Sequence, residues 1–329
     1  MSFNDIKGQK FAVSYLKKII LKKRIPPTLM FVGKSGTGRF KTALTFAKAL
    51  NCKNAQADSC DRCKSCIAVE NSVHPNVKVI GRNSSVGIGD VRSIVNDNLV
   101  PINEGYRVNI IDNADKSTIQ AFNSMLKYLE EPPENTVNVL IVRDPFNIPE
   151  TIRSRSVMVK FQPLSDKDIE SYLISKGFDS DKAVLVSHLL NGSLEGWEKF
   201  SDESFIKKRK SFIEEMLLFF QGRSDISSLL EKWNALFPDL SSKEKAEKFF
   251  DYVSVLIRDI LYVSALGEKD NITNFDFLGY IAAKFSVTNK SSLERIYDII
   301  KEQKKALLTN TNPQYAVVDG ILRMKEVIV

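Results

Sequence analysis

Apolar residues fall into two regimes along this chain of 329 residues. From residue 28 to about 163 they come as short, β-rich runs: Thr28–Val32 (TLMFV), Val77–Ile80, Tyr106–Ile111, Val137–Val142 and Val157–Phe161. Helices are expected between them, at Ala43–Leu50, Gly89–Asn98 and Lys116–Glu131. The last has Ile119, Phe122, Met125, Leu126 and Leu129 at helical spacing and a stop at Pro132-Pro133. Strands alternating with helices predict a parallel, helix-covered sheet that receives ligands at the carboxyl ends of its strands.

After Pro163 the β-rich runs stop. Ser165-x-x-Asp168 reads as a helix start, and a small helical unit extends to about Trp197. Long amphipathic helices follow. Phe249, Val253, Leu256, Ile257 and Ile260 form one apolar stripe, entered through a capping box at Ser241-x-x-Glu244, and Ser291-x-x-Glu294 opens another. Such stripes chiefly predict the internal core of a helical bundle. The pattern divides the chain into an α/β domain at 1–163, a small helical domain at 164–208 and an all-α domain at 209–329.

Composition narrows the class. Hydrophobic content of 43% and charged content of 26% are ordinary for a soluble globular protein. The opening MSFNDIKGQKF has no apolar core of a signal peptide, and the most apolar helical stretch, Val253 to Leu266, carries Arg258 and Asp259. A cytoplasmic protein with no membrane partner is expected. The net charge of +7 permits contact with an acidic polymer such as DNA and is equally compatible with simple solubility.

The first chemical signal lies between strand and helix, at Gly33-Lys-Ser-Gly36-Thr-Gly38-Arg39-Phe40-Lys41-Thr42. The glycine spacing is that of a phosphate-binding loop, in the strand–loop–helix context such a loop requires. A working loop continues with Lys, which reaches the outer phosphates, and Ser or Thr, which ligates magnesium. Here Arg39 and Phe40 stand instead. A phenyl ring cannot ligate a metal, and a guanidinium is a bulkier fork than an ammonium. Two other readings exist: glycines that serve only a tight turn, or Lys41-Thr42 acting as the Lys-Thr pair from three residues past Gly38 instead of one, on the wrong side of the loop. Val108–Asp112 repeats the pattern, as a strand that delivers Asp112 toward a metal and is followed by Asn113, which cannot act as a base. Together these features describe a nucleotide-hydrolysing fold without its own hydrolysis, with Gly33, Gly36, Gly38, Arg39 and Asp112 as the remnant nucleotide site and ATP binding there doubtful.

All four cysteines lie within fifteen residues, as Cys52-x7-Cys60-x2-Cys63-x2-Cys66. Paired C-x2-C steps present thiolates at tetrahedral zinc geometry. Polar neighbours such as Asp58, Asp61, Arg62 and Lys64 describe an exposed knuckle at 52–66. Disulfides are the alternative, but a cytosolic chain keeps thiols reduced. Four thiolates predict a closed, structural zinc site, with His74 only an outside candidate beside Pro75.

One further arginine loop, Thr151-Ile-Arg153-Ser154-Arg155-Ser156, leads into the last β-rich run. An arginine there can stabilise phosphoryl-transfer charge in a neighbouring subunit. From charge alone it reads as an ordinary solvated side chain.

These residues together resemble the bacterial DNA polymerase III clamp-loader family, and within it the delta-prime branch. Ile6-Lys-Gly8-Gln9 resembles the family's opening segment and Arg24-Ile-Pro26 its approach to the loop strand. The cysteine knuckle sits before His74-Pro75 as in the family, Ala121–Pro133 (AFNSMLKYLEEPP) is similar to its Leu-Glu-Glu-Pro-Pro helix, and Asn312-Pro313 with the helix after it resembles the end of its collar domain. Ser154-Arg155-Ser156 resembles the family's Ser-Arg-Cys motif, with Ser for Cys. Val142-Arg143 and Gly192-Ser-Leu-Glu195 occupy the two nucleotide-sensor positions with altered residues, the second with its arginine replaced by Glu195.

The resemblance implies an AAA+ P-loop domain with an inserted zinc knuckle, a helical lid and an all-α collar for oligomerisation. It implies a structural and regulatory part of a DNA polymerase holoenzyme with no ATPase of its own, lending Arg155 in trans. Its partners would be gamma/tau and delta subunits and, through the complex, the sliding clamp and primed DNA. The rival expectations are a gamma/tau-like ATPase using Lys41 and Thr42, and a free-standing zinc-knuckle nucleic-acid-binding protein.

Overall fold

The computed structural model describes residues 1–82, 86–97, 102, 104–130, 132–238, 240–266, 272–285, 290–307, 309 and 311–328. It divides into two compact units, one of Met1–Ile169 with Gly192–Glu195 and one of Glu170–Asn191 with Gly196–Val329.

The first unit runs α1 (Lys10–Leu21), β1 (Thr28–Val32), α2 (Arg39–Asn51), α3 (Lys64–Glu70), β2 (Val77–Ile80), α4 (Ile88–Asp97), β3 (Arg107–Ile111), α5 (Ile119–Glu130), β4 (Thr136–Val142), α6 (Glu150–Arg153) and β5 (Val157–Lys160). The five strands form one parallel sheet in the order β2-β3-β4-β1-β5. Parallel strands covered on both faces read as continuous apolar runs, and β3 and β4 are buried along their whole length.

Side chains alternate between the faces with the strand period of two. Leu29 and Phe31 of β1 point into a core with Leu16 and Ile19 of α1 and Phe46 of α2. Met30 points the other way, into a core with Phe122, Met125 and Leu129 of α5 and Leu140 and Val142 of β4. Full burial of a side chain such as Phe31 contributes about 1.5–3 kcal/mol. The sheet also buries a polar pair, Asn109 Nδ2 donating to Asn138 Oδ1 at 3.0 Å.

Three helix starts of this unit differ from the sequence expectation, α4 by a single residue, at Ile88 instead of Gly89. α2 begins at Arg39 instead of Ala43, because Gly38 enters the left-handed region at φ +90° and ends the loop there. α5 begins at Ile119 instead of Lys116, because Ala114–Lys116 forms a separate 3-10 turn and the Thr118 hydroxyl then accepts the Ala121 N–H at 3.2 Å. The expected helix ends Asn98 and Glu131 lie outside the described residues.

The second unit is helical among its described residues. α7 (Asp166–Ser175) crosses the boundary between the units, and α8 (Ser180–Leu190), α9 (Glu203–Phe219), α10 (Ile226–Leu236), α11 (Ser242–Leu261), α12 (Leu278–Phe285), α13 (Lys290–Ala306) and α14 (Pro313–Ile328) follow. α11 opens with the expected capping box, Ser241 and Glu244 each bonding the other's backbone N–H. Its stripe packs inward, with Phe249, Val253, Leu256, Ile257 and Ile260 at 0–1% exposure. Asp259, fully buried beside them, accepts hydrogen bonds from the backbone of Thr273 and Asn274 and from the Asn274 side chain. Among the described residues, no helix is long and apolar enough to cross a membrane.

Candidate functional site

The glycine loop leaves β1 at Val32, and the Gly33 N–H donates to the Val142 carbonyl at the end of β4 (3.2 Å). Gly36 has φ +71°, and a Cβ there would stand 2.3 Å from Ser193 Oγ and 2.4 Å from the Glu195 nitrogen. Glycine is therefore required by protein packed against the loop. Ser193 Oγ donates to the Ser35 carbonyl (2.8 Å) and the Leu194 N–H to the Gly36 carbonyl (3.0 Å). Arg143 joins the same wall, donating to Ser35 Oγ at 3.2 Å and reaching Glu195 Oε1 at 3.4 Å. Gly38 has open space around its Cα, so only its left-handed backbone calls for glycine.

Arg39 is 7% exposed and turns inward from the first turn of α2, donating to the Val142 carbonyl. Burial lowers its pKa, against the opposing pull of the Asp112 carboxylate. Asp112 is half-buried, with Oδ1 accepting the Asn113 N–H at 2.9 Å. Burial raises its pKa, and the Asn113 bond and the Arg39 and Arg82 charges hold it down in part. Phe40 packs against the first core and carries the Arg82 guanidinium 4.1 Å from its ring centroid. The position that ligates magnesium in a working loop thus holds a cation on an aromatic face. Thr42 is fully buried with its hydroxyl donating to the Gly38 carbonyl at 2.8 Å, and Lys41 is exposed on the same turn.

The structure therefore brings Gly33, Gly36, Gly38, Arg39 and Asp112 together at the carboxyl ends of β1, β3 and β4. Sequence reasoning missed Arg82, whose one signal was its place just past the end of β2.

Arg155 lies elsewhere. It follows α6 and precedes β5, whose register sets Val157 opposite Leu29 near the start of β1. In a parallel sheet this is the amino end of the strands, opposite to the glycine loop. Arg155 is exposed, and its guanidinium donates to the Thr151 carbonyl at 2.8 Å.

The four cysteine sulfurs lie within 4.8 Å of one another, and the cysteines are unbridged. Sulfurs around a tetrahedral zinc stand about 3.8 Å apart, from a Zn–S distance of about 2.3 Å, so this cluster fits a metal with little movement. The Cys63 N–H faces Cys60 Sγ and the Cys66 N–H faces Cys63 Sγ, both at 3.4 Å, with Cys63 capping α3. Backbone N–H groups of Arg62 and Cys63 push the Cys60 thiol down to about 6, which favours the thiolate a metal requires. Burial pushes Cys66 up to about 12. His74 stays out of the cluster: Nδ1 accepts the Asn76 N–H (3.1 Å) and Nε2 meets Ser65 Oγ (3.0 Å). Lys48 of α2, 2% exposed, pairs with Asp61 of the cysteine loop at 2.9 Å and with Glu70 of α3.

Comparison with known proteins gives a consistent set of relatives. The family described as "DNA polymerase III, delta subunit" matches residues 8–165, and "DNA polymerase III, delta subunit, C terminal" matches residues 203–326. The chain is 27% identical over 321 residues to DNA polymerase III subunit delta' of Bacillus subtilis, covering 97% of this chain and 96% of that protein. It is 35% identical over 169 residues to the tau subunit of the same organism, spanning 51% of this chain and 30% of tau. To the gamma subunit of Buchnera aphidicola (subspecies Acyrthosiphon pisum) it is 28% identical, across 86% of this chain and 78% of that protein.

Proposed function

The chain belongs to the delta-prime family of DNA polymerase III clamp-loader subunits, and from that premise we propose that it is a non-hydrolysing member of the loader that completes a neighbour's ATP site with Arg155. The observation that carries this reading is the opposition within one sheet. The chain's own loop is filled by Arg39, walled by Ser193–Glu195 and fitted with Phe40 where a metal ligand belongs. Arg155 stands exposed at the other end of the strands, where it cannot serve that loop and can face a second molecule. A guanidinium delivered in trans to phosphoryl oxygens contributes a factor of about 10³ or more to turnover.

The partners in this reading are gamma/tau and delta subunits and, through the assembled loader, the sliding clamp and primed DNA. Residues 164–208 act as the lid and residues 209–329 as the collar through which subunits associate. Cys52, Cys60, Cys63 and Cys66 hold a structural zinc; four thiolates leave it no open position, so the metal supplies folding energy and no catalysis. The decisive experiment is the DNA- and clamp-stimulated ATPase of a loader reconstituted with Arg155→Ala. A loss of turnover with assembly intact is expected, and full activity would overturn the reading.

A further inference from the structure

Charge is distributed very unevenly along the sequence. The first 24 residues carry seven Lys and Arg side chains against the single carboxylate of Asp5, which accounts for six of the chain's net seven positive charges. The structure places most of this charge on α1 and the turn after it. Lys10, Ser14, Lys18 and Lys22 recur at every fourth position, are all exposed, and share one shallow outward groove. At 1.5 Å rise per residue they form a row with steps of about 6 Å. Lys17 also borders the groove, but its ammonium is taken by Asp58 at 3.0 Å. Among the described residues, no carboxylate pairs with Lys10, Lys18 or Lys22, and Lys23 and Arg24 extend the exposed charge beyond the helix.

The opposite side of α1 is committed to the core through Ala12 (3% exposed), Leu16 (0%) and Ile19 (8%). The outward side also exposes Phe11 (89%) and Leu21 (62%), and Val13 and Leu21 line the groove beside the lysines, so the stems of the lysines lie along apolar surface while their ammonium groups set the charge of the face. A row of ammonium groups inclined along one ridge of a helix is complementary to a chain of anions that winds past it. It lacks the planar donors that read base edges.

We propose that the outward face of α1, through Lys10, Lys18 and Lys22, is a contact surface for the phosphodiester backbone of DNA, bound without regard to sequence. This assigns a DNA-contacting face to the clamp-loader subunit proposed above and so rests on that reading. The contact works by displacing counterions from the phosphates, so its signature is a salt dependence.

The test uses the full-length chain and two labelled probes, a DNA duplex and a single strand of unrelated sequence, titrated between about 50 and 200 mM salt. The variant K10Q/K18Q/K22Q is expected to reduce the slope of log K against log salt by about 2.7 on the duplex, or by about 2.1 if the single strand is the true target. The control K207Q/K208Q/K210Q removes the same charge from an exposed part of α9 and is expected to leave both slopes unchanged. Ser14→Glu, which sets one carboxylate in the row, is expected to weaken binding without loss of helix content. Equal slopes for the two triple variants, or a wild-type chain that binds neither probe, would overturn the proposal. Co-assembly with gamma/tau and delta is measured separately. Failure of the wild-type chain to assemble counts against the clamp-loader reading alone, whereas loss of assembly in the α1 variant with DNA slopes intact makes the face a protein interface and sinks this proposal.

Discussion

Lys48 and Asp61 join the helix of the glycine loop to the loop of the cysteines: the Lys48 ammonium, only 2% exposed, stands 2.9 Å from the Asp61 carboxylate. Burial alone would lower the Lys48 pKa, but hydrogen bonds to Glu70 and Asp61 outweigh it and raise the pKa above the usual lysine value. An ammonium held this way is costly to leave unpaired and equally costly to remove, because its partners keep their charge. Asp61 and Glu70 keep some access to water (32% and 56% exposed). Lys48→Met is therefore expected to cost about 2 kcal/mol, below the range for fully buried pairs. Urea unfolding of the two proteins side by side measures it, and a change within experimental error would show that the pair holds nothing together.

The same pair gives a pH dependence with a definite sign. Burial would raise the Asp61 pKa, but the Met1 ammonium, Lys48 and Ser59 pull it down from 3.8 to about 2. A carboxylate depressed by folding stabilises the native state above its unfolded pKa and loses that contribution as pH falls through the folded one. The stability difference between wild type and Lys48→Met is expected to be constant near neutrality and to shrink as pH falls from about 4 toward 2. A difference that grows on acidification would contradict the assignment.

For the cysteine cluster, one tightly held zinc per chain is expected, by elemental analysis of protein purified without chelator. Metal binding to such a site is folding energy. Cys63→Ser removes one thiolate and also the sulfur that faces the Cys66 N–H at the start of α3. It is expected to lower metal content and loosen residues 52–70 toward proteolysis, while α9–α14 keep their unfolding midpoint. Protein without stoichiometric metal would remove the zinc assignment.

Much of the α/β unit was legible in the sequence because its signals are local. β1 and β2 fall on the runs that predicted them, since a short apolar run bounded by turn residues has few other uses. The cysteine cluster assembles within fifteen residues of chain, so spacing alone carried it. Pattern and spacing could not give contacts between distant segments, and only the family resemblance set Gly192–Glu195 and Val142-Arg143 at nucleotide-sensor positions. Nothing near Gly36 announces that Ser193–Glu195 will lie against it, although that approach is what fixes the glycine. Arg39 was placed in the remnant nucleotide site by its position in the motif, which says nothing of where a long side chain turns; the Val142 carbonyl that it meets lies 103 residues away. Lys48 reads as a solvated helix residue until Asp61 and Glu70 are folded over it.

The two left-handed glycines of the loop separate local from long-range constraint. Gly36→Ala must accommodate a Cβ 2.4 Å from the Glu195 nitrogen and 2.8 Å from that of Leu194, both backbone atoms that cannot swing away. Gly38→Ala meets nothing within 4 Å and bears only the left-handed penalty of about 1–2 kcal/mol. Gly36→Ala is expected to destabilise by at least about 1 kcal/mol more than Gly38→Ala, as read from denaturant midpoints. The reverse order would mean that Ser193–Glu195 does not lie against the loop in solution.

Arg155 and Arg39 make opposite predictions for turnover and stability. Arg155 is exposed, and its guanidinium donates to the Thr151 carbonyl one helical turn earlier. Arg155→Ala should leave the fold and assembly intact and lower the DNA- and clamp-stimulated ATPase of the reconstituted loader by at least about tenfold, part of the ~10³ available to a finger in trans. Arg155→Lys should rescue poorly, because an ammonium cannot reproduce a planar fork on a phosphate. Arg39 is buried against Val142 beside Asp112, so Arg39→Ala removes one of the two donors to the Val142 carbonyl and one of the two cations that favour the half-buried Asp112 carboxylate. It should lower the stability of the isolated chain and leave turnover per assembled complex unchanged. Steady-state ATPase of both loaders, normalised to assembled complex, separates the roles. An unaffected Arg155→Ala loader beside an inactive Arg39→Ala loader would place the chemistry in this chain's own loop and reverse the reading of both residues.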